Sequence, residues 1–236
     1  MDTTLERFAA AVTALEAALD WPQLGASYCE GDARDFFDPA RIEAVRDAGL
    51  RFASDLGARL APGGASLYVG AGVAEVVPVL FEALVLARRV RVHTADAREA
   101  RLLDEALEAV EAQLGDGVVL PRWSTTLIAR GESVDHLWFV SVATDPDHFP
   151  AHHDLLYERG PAKERRLETE RAVLDELVDR AFAAVEPGAL VCTTGEELEL
   201  LRARAERCGL ALDVPATGRT SGLVGDVVYA CTAVGR

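Results

Sequence analysis

The sequence is short of the residues that build metal centres and disulfide frameworks, with four cysteines and five histidines in 236 residues. Cys29, Cys192, Cys208 and Cys231 are scattered, with no CxxC and no close Cys-x-His spacing. That excludes a zinc knuckle and a disulfide-stapled scaffold, and predicts four reduced, mostly buried thiols in a cytoplasmic protein. Long apolar runs are missing as well. The stretch Val73–Ala87 is interrupted by Glu75, Pro78 and Glu82, and no segment approaches the roughly eighteen apolar residues of a membrane span. Met1-Asp2-Thr3-Thr4-Leu5-Glu6-Arg7 has neither a basic segment nor a following apolar run of signal length, so a soluble protein is expected.

Positive charge is scarce: 24 Lys and Arg stand against 39 Asp and Glu, giving a net charge of −15. Such an acidic surface repels phosphate backbones and disfavours nucleic acid as a partner. The densest basic stretch, Lys163–Arg171, is interleaved with Glu164, Glu168 and Glu170 and reads as a solvated helix face. What is present is core-forming material. Half of the residues are apolar and the mean hydropathy is +0.09, enough for a sizeable buried interior in a chain of one-domain length.

Leu5, Phe8, Val12, Leu15 and Leu19 recur at helical steps and predict an amphipathic first helix. A turn-rich segment, Trp21 to Phe37, follows. Asp38-Pro39 then supplies an N-cap and a first-turn proline for a helix whose face runs Ile42, Val45, Gly49, Phe52, Leu56, Leu60 and ends at Pro62-Gly63-Gly64. From residue 65 onward short β-rich runs alternate with helices. Strands are expected at 66–69, 90–94, 118–120, 136–143, 189–192, 210–214 and 227–233, with helices near 73–87, 97–114, 162–185 and 194–208. Thr194-x-x-Glu197 has capping-box spacing at the start of the last of these. Strands separated by helices of this length imply parallel crossovers and a doubly wound α/β sheet. The connection 215–225 is too short for a crossover helix, so the last two strands are expected to pair antiparallel. The predicted organisation is an N-terminal helical cap, 1–64, and a Rossmann-like core, 65–236, forming one structural unit.

Ser66-Leu67-Tyr68-Val69-Gly70-Ala71-Gly72-Val73 joins a strand to a helix through Gly-x-Gly. Glycines stand where the chain turns sharply and a ligand approaches the backbone, and the helix start beyond offers unpaired N–H groups. Tight strand-to-helix packing would also explain them. A dinucleotide fingerprint fits less well, because Glu75 occupies the place of its third glycine and would face a pyrophosphate.

With this turn and element order the chain resembles the class I S-adenosylmethionine-dependent methyltransferases. The resemblance covers about 65–234 and implies a mostly parallel seven-stranded sheet whose last strand inserts antiparallel. It also implies S-adenosylmethionine as cofactor and methyl transfer to a small-molecule acceptor. Gly70 and Gly72 match the family's glycine loop. Tyr68 stands where an acidic residue is common, and Ala74 replaces the third glycine. The ribose-binding position falls near Thr94, with Asp96 two residues on; Asp96 is also placed to cap the helix that starts at Ala97, the favoured of its two roles. Trp123 lies where the family holds adenine, although an aromatic there also serves a core. The alternative is a methyltransferase-like protein without catalysis, acting as a binding or assembly module. A homodimer stays open.

Asp135–Ala143 reads as a strand buried on both faces. Beyond it come Asp145, Asp147, His148, His152, His153, Asp154 and Tyr157, at the strand end where open α/β sheets bind ligands. His148 and Asp145 are the candidate catalytic base residues. A metal site on His148, His152 and His153 is a second reading, weakened by Pro150 between them. A polar loop shaped by Asp and Pro is the third. Trp21, Tyr28, Phe36 and Phe37 either close over a site or pack the cap onto the core. Arg219-Thr220-Ser221-Gly222 reads as a flexible hairpin loop in which the arginine could meet an anion.

Overall fold

Periodicity and caps place the first helices. In the computed structural model, which describes residues 3–28, 35–115, 117–127, 133–159, 164–220 and 226–236, α1 spans Thr3–Ala18 and buries Phe8, Val12 and Leu15. Leu5, the first residue of that stripe, is half exposed. Cys29, Ala162, Lys163, Ser221 and Gly222 lie outside the described residues. The expected turn after α1 is instead a helix, α2 (Trp21–Tyr28). Asp20 caps it by accepting the Gln23 amide at 3.0 Å, and Pro22 sits in the first turn, where no amide partner is lost. Helix α3 (Pro39–Gly57) starts as predicted, with Asp38 accepting the Arg41 amide at 2.8 Å.

The remaining elements follow in chain order. Strand β1 is Ala65–Val69, a short 3-10 turn covers Val73–Glu75, α4 is Val76–Leu84, β2 is Arg89–His93 and α5 is Ala97–Leu114. Then come β3 (Trp123–Ser124), β4 (Val134–Phe139), α6 (Pro150–Leu156), α7 (Glu164–Phe182) and β5 (Val185–Thr194). Helix α8 (Leu198–Arg207) and strands β6 (Leu210–Asp213), β7 (Arg219–Thr220) and β8 (Val227–Gly235) close the chain.

Two compact units emerge, one mainly from residues 1–65 and 71–126, the other from 66–70, 127–221 and 225–236. In the first, β2 pairs parallel with β3, α1 packs on α4 and α5, and α3 packs on α4. Phe8 and Phe81 meet edge-on at 5.5 Å, and Arg88 and Glu82 form an ion pair at 3.1 Å with both side chains wholly buried. In the second unit β1, β4 and β5 run parallel. β8 lies antiparallel between β5 and β6, as expected of a strand reached through a connection too short for a crossover. The class is therefore α/β, with a parallel set and an antiparallel end, the strand pattern expected from the sequence. There are eight strands among the described residues, because β7 adds a two-residue pairing to β8.

Two expected strands are corrected. Residues 118–120 are not a strand: Val119 is 86% exposed and the Leu120 amide is taken by Glu111 Oε1 at 2.6 Å. Pro121 cannot donate to a ladder, so pairing begins only at Trp123. The fourth strand stops at Phe139, short of Ala143, because side chains claim the next amides. No helix among the described residues is long and apolar enough to cross a membrane.

Candidate functional site

The glycine turn is held by carboxylates. Gly70 has φ +66°, a left-handed conformation that glycine adopts without steric cost. In the first unit, the Gly72 amide donates to Glu75 Oε2 at 2.9 Å and the Val73 amide to Glu99 Oε1, also at 2.9 Å. Tyr28 Oη hydrogen-bonds Glu99 and accepts from the Val73 amide at 3.3 Å. A Cβ at Gly72 would come within 2.5 Å of Tyr28 Oη and 2.7 Å of Glu99 Oε1, so a larger residue would have to push these side-chain ends away from the turn. Tyr28 as a whole is 37% exposed, but its hydroxyl is enclosed. Burial, with the Glu99 charge and hydrogen bond, lifts the phenol well above its ordinary value. The turn is thus a carboxylate-accepting nest whose acceptors come from the chain itself.

The other residues implied for cofactor binding gather in the same unit. Thr94 is buried; its amide donates to Ser124 O at 3.0 Å, and its hydroxyl accepts the Asp96 amide at 3.3 Å. Asp96 caps α5 by accepting the amides of Arg98 and Glu99 at 2.7 and 3.2 Å, the structural half of its two readings. Trp123 is buried and its indole Nε1 donates to Ala71 O at 3.1 Å. Its indole therefore rests against the glycine turn, next to Gly72. Of the four N-terminal aromatics, Trp21, Phe36 and Phe37 pack with one another and with Tyr28. Tyr28 alone reaches the turn amides.

In the second unit, Gly70 lies under the β4 exit: a Cβ there would meet Val142 Cγ2 at 2.9 Å. Tyr68, at the family's acidic position, is fully buried and stacks on Trp138 at 5.6 Å. Beyond Val142, the two candidate bases Asp145 and His148 form a pair, with Oδ2 to Nδ1 at 2.7 Å. Burial would push the Asp145 carboxyl up, but the hydrogen bond and charge of His148 outweigh it and hold the group below its ordinary value. An ionised carboxylate only accepts, so it fixes the tautomer with Nδ1–H and makes Nε2 the basic nitrogen. His152 places Nδ1 at 2.9 Å from Ala143 O, and His153 is buried against Tyr157, with ring centroids 4.8 Å apart. The three histidines thus turn to different partners. Among the described residues no group of three His, Cys, Asp or Glu side chains is arranged to hold a metal ion. Arg219 sits in β7 and is exposed.

Three acidic residues escaped sequence reasoning. Glu99 looks like an ordinary helix residue, Glu75 registers only as a mismatch to a dinucleotide motif, and Glu197 looks like a cap. The single usable signal was Tyr28, an aromatic in a segment able to fold over a site.

No protein-family model matches the chain, and no curated protein does. Solved structures to which it is similar include a methyltransferase from Pyrococcus furiosus, with 14% identity, a TM-score of 0.48, and 80% of this chain matched to 83% of that one. Another is a precorrin-6y C5,15-methyltransferase from Geobacter metallireducens, with 15% identity, a TM-score of 0.46, and 81% of this chain matched to 89% of that one. A third is P. horikoshii TYW2 in complex with MeSAdo, at 13% identity and TM-score 0.47, with 84% of this chain matched to 62% of that one.

Proposed function

We propose that the chain binds S-adenosylmethionine at its glycine turn and transfers the methyl group to a small-molecule acceptor. The observation that carries this reading is the pair of amides at Gly72 and Val73, each holding a carboxylate oxygen at 2.9 Å. Those carboxylates are stand-ins for the one on the methionine end of the donor, which the same N–H groups would hold once Glu75 or Glu99 turns aside. Gly70, Gly72, Thr94, Asp96 and Trp123 are the residues proposed to hold the donor. It supplies an electrophilic methyl, and the chain's task is alignment, so few obligatory side chains are required. His148, oriented by Asp145, receives the acceptor's proton at Nε2.

The same observation favours a second reading. Amides already satisfied by the chain need no ligand, and a methyltransferase-like module without catalysis would look like this. Isothermal titration with S-adenosylhomocysteine separates the two. The enzymatic reading expects a dissociation constant of about micromolar order. A flat titration with folded protein would leave only the non-catalytic module.

A further inference from the structure

Glu197 is a buried carboxyl group that the proposed chemistry leaves unused, and it lies between β5 and α8 with 0% exposure. Its Oε1 accepts the Ala143 amide at 2.7 Å. Its Oε2 accepts the Ser141 amide at 3.1 Å, Thr194 Oγ1 at 2.9 Å, Thr193 Oγ1 at 3.3 Å and the Thr194 amide at 3.4 Å. The Thr194 amide contact is the reaching-back half of the expected capping box, but the helix begins only at Leu198, so the box does not cap it. The contacts with the Ala143 and Ser141 amides reach 54 and 56 residues back, to the exit of β4.

That exit is strained. Ser141 has φ +58°, a conformation that a non-glycine residue keeps only where its surroundings enforce it. Glu197 holds its amide, and Asp226 Oδ2 accepts its hydroxyl at 2.9 Å. The turn so fixed carries Val142 against Gly70, and it presents Ala143 O to His152. It also leads directly into the Asp145–His148 pair. We propose that Glu197 is a positioning residue, whose carboxyl group locks the β4 exit and thereby sets where Asp145, His148 and His152 stand. This rests on reading that exit as the acceptor side of the site.

The lock has a built-in pH dependence. Burial raises the Glu197 carboxyl to about 7, against the pull of the Ala143 and Thr194 hydrogen bonds. Tyr157, from the end of α6, faces it, and Tyr157 in turn feels Asp226, from the segment before β8, and Glu196. The closed turn therefore retains a proton that an opened turn releases, and opening becomes easier as pH climbs from the ordinary carboxyl range to about 7.

Amide hydrogen exchange of the full chain, read by NMR over residues 141–149 and corrected for intrinsic base catalysis, tests this without any ligand. Protection is expected to fall by about 50-fold between pH 5 and pH 8, most of it below pH 7. Glu197→Gln should remove that dependence. Thr194→Val, which deletes one donor to the carboxylate, should extend the fall to higher pH, and this second variant serves if Glu197→Gln does not fold. Protection that is flat with pH in the wild type, or a fall unchanged in the variants, overturns the proposal. Neither outcome depends on the S-adenosylhomocysteine titration, so the two readings fail separately.

Discussion

Gly72 and Arg88 are single residues on which a measurable amount depends. A methyl at Gly72 would collide with both Tyr28 and Glu99, so Gly72→Ala must expel one of them from the turn. The expected result is a loss of S-adenosylhomocysteine affinity of at least tenfold in the same titration, about 1.4 kcal/mol. The added methyl also takes the space beside the Gly72 and Val73 amides, so affinity that is unchanged or rises places the donor's carboxylate elsewhere. Arg88 is a purely structural case. Its Nε meets Glu82 while Nη1 and Nη2 donate to Ala61 O and Ala65 O at 2.6 and 3.2 Å. Arg88→Met would leave Glu82 buried without its main counter-charge and should cost about 3–5 kcal/mol in urea denaturation. The double replacement with Glu82→Leu should recover most of that, because an apolar pair carries no desolvation cost.

At the scale of elements, the start of α5 is where two roles for one residue can be separated. Asp96 caps α5 through Oδ1, and asparagine caps about as well. Asp96→Asn should therefore leave stability within about 0.5 kcal/mol, whereas Asp96→Ala should lose about 1 kcal/mol. If the carboxylate also meets a ribose, Asp96→Asn alone weakens S-adenosylhomocysteine binding; if affinity is unchanged, capping is its whole job. Packing between α3 and α4 shows a different limit. A Cβ at Gly49 would lie 2.6 Å from Val77 Cβ, and Gly49→Ala should destabilise by about 1–3 kcal/mol as the two helices separate. The α2 helix is instructive about legibility. Asp20 caps it, yet the Trp- and Gly-containing segment shows too little apolar periodicity to predict a helix, and aromatic packing of Trp21 with Phe37 stabilises it from outside.

For the whole molecule, the balance of shifted carboxyls predicts an acid-shifted stability profile. Groups raised by burial, with Glu197 at about 7 and Asp104 and Asp226 shifted in the same direction, favour the folded state most fully below their unfolded values. That contribution drains away as pH rises to the folded values. For Glu197 alone it amounts to about 3 kcal/mol. Asp145 and Glu111 are lowered: burial opposes the shift in both, and partners on His148 and Arg122 outweigh it. Their contribution is lost only when pH falls through their depressed values. The urea midpoint should therefore be highest near pH 5 and decline toward pH 8, in the direction that self-repulsion of a chain carrying −15 also acts. A midpoint that rises across this range contradicts the assignment, and a Glu197→Gln profile parallel to the wild type would remove Glu197 as its source.

What the sequence determined by itself was local and periodic. The α1 stripe, the Asp38 and Asp96 caps, the Gly70 turn, and the alternation of strands and helices all rest on residues within a few positions of one another. Backbone propensity and side-chain reach act at that range. Tertiary structure alone decided which carboxylates sit on the Gly72 and Val73 amides, since Tyr28 and Glu99 are 71 residues apart. It likewise turned a cap-like Glu197 into the clamp on Ser141. Those partners are chosen by what happens to be near a buried donor once the strands have paired, and that proximity is written in the fold rather than in any stretch of neighbouring residues.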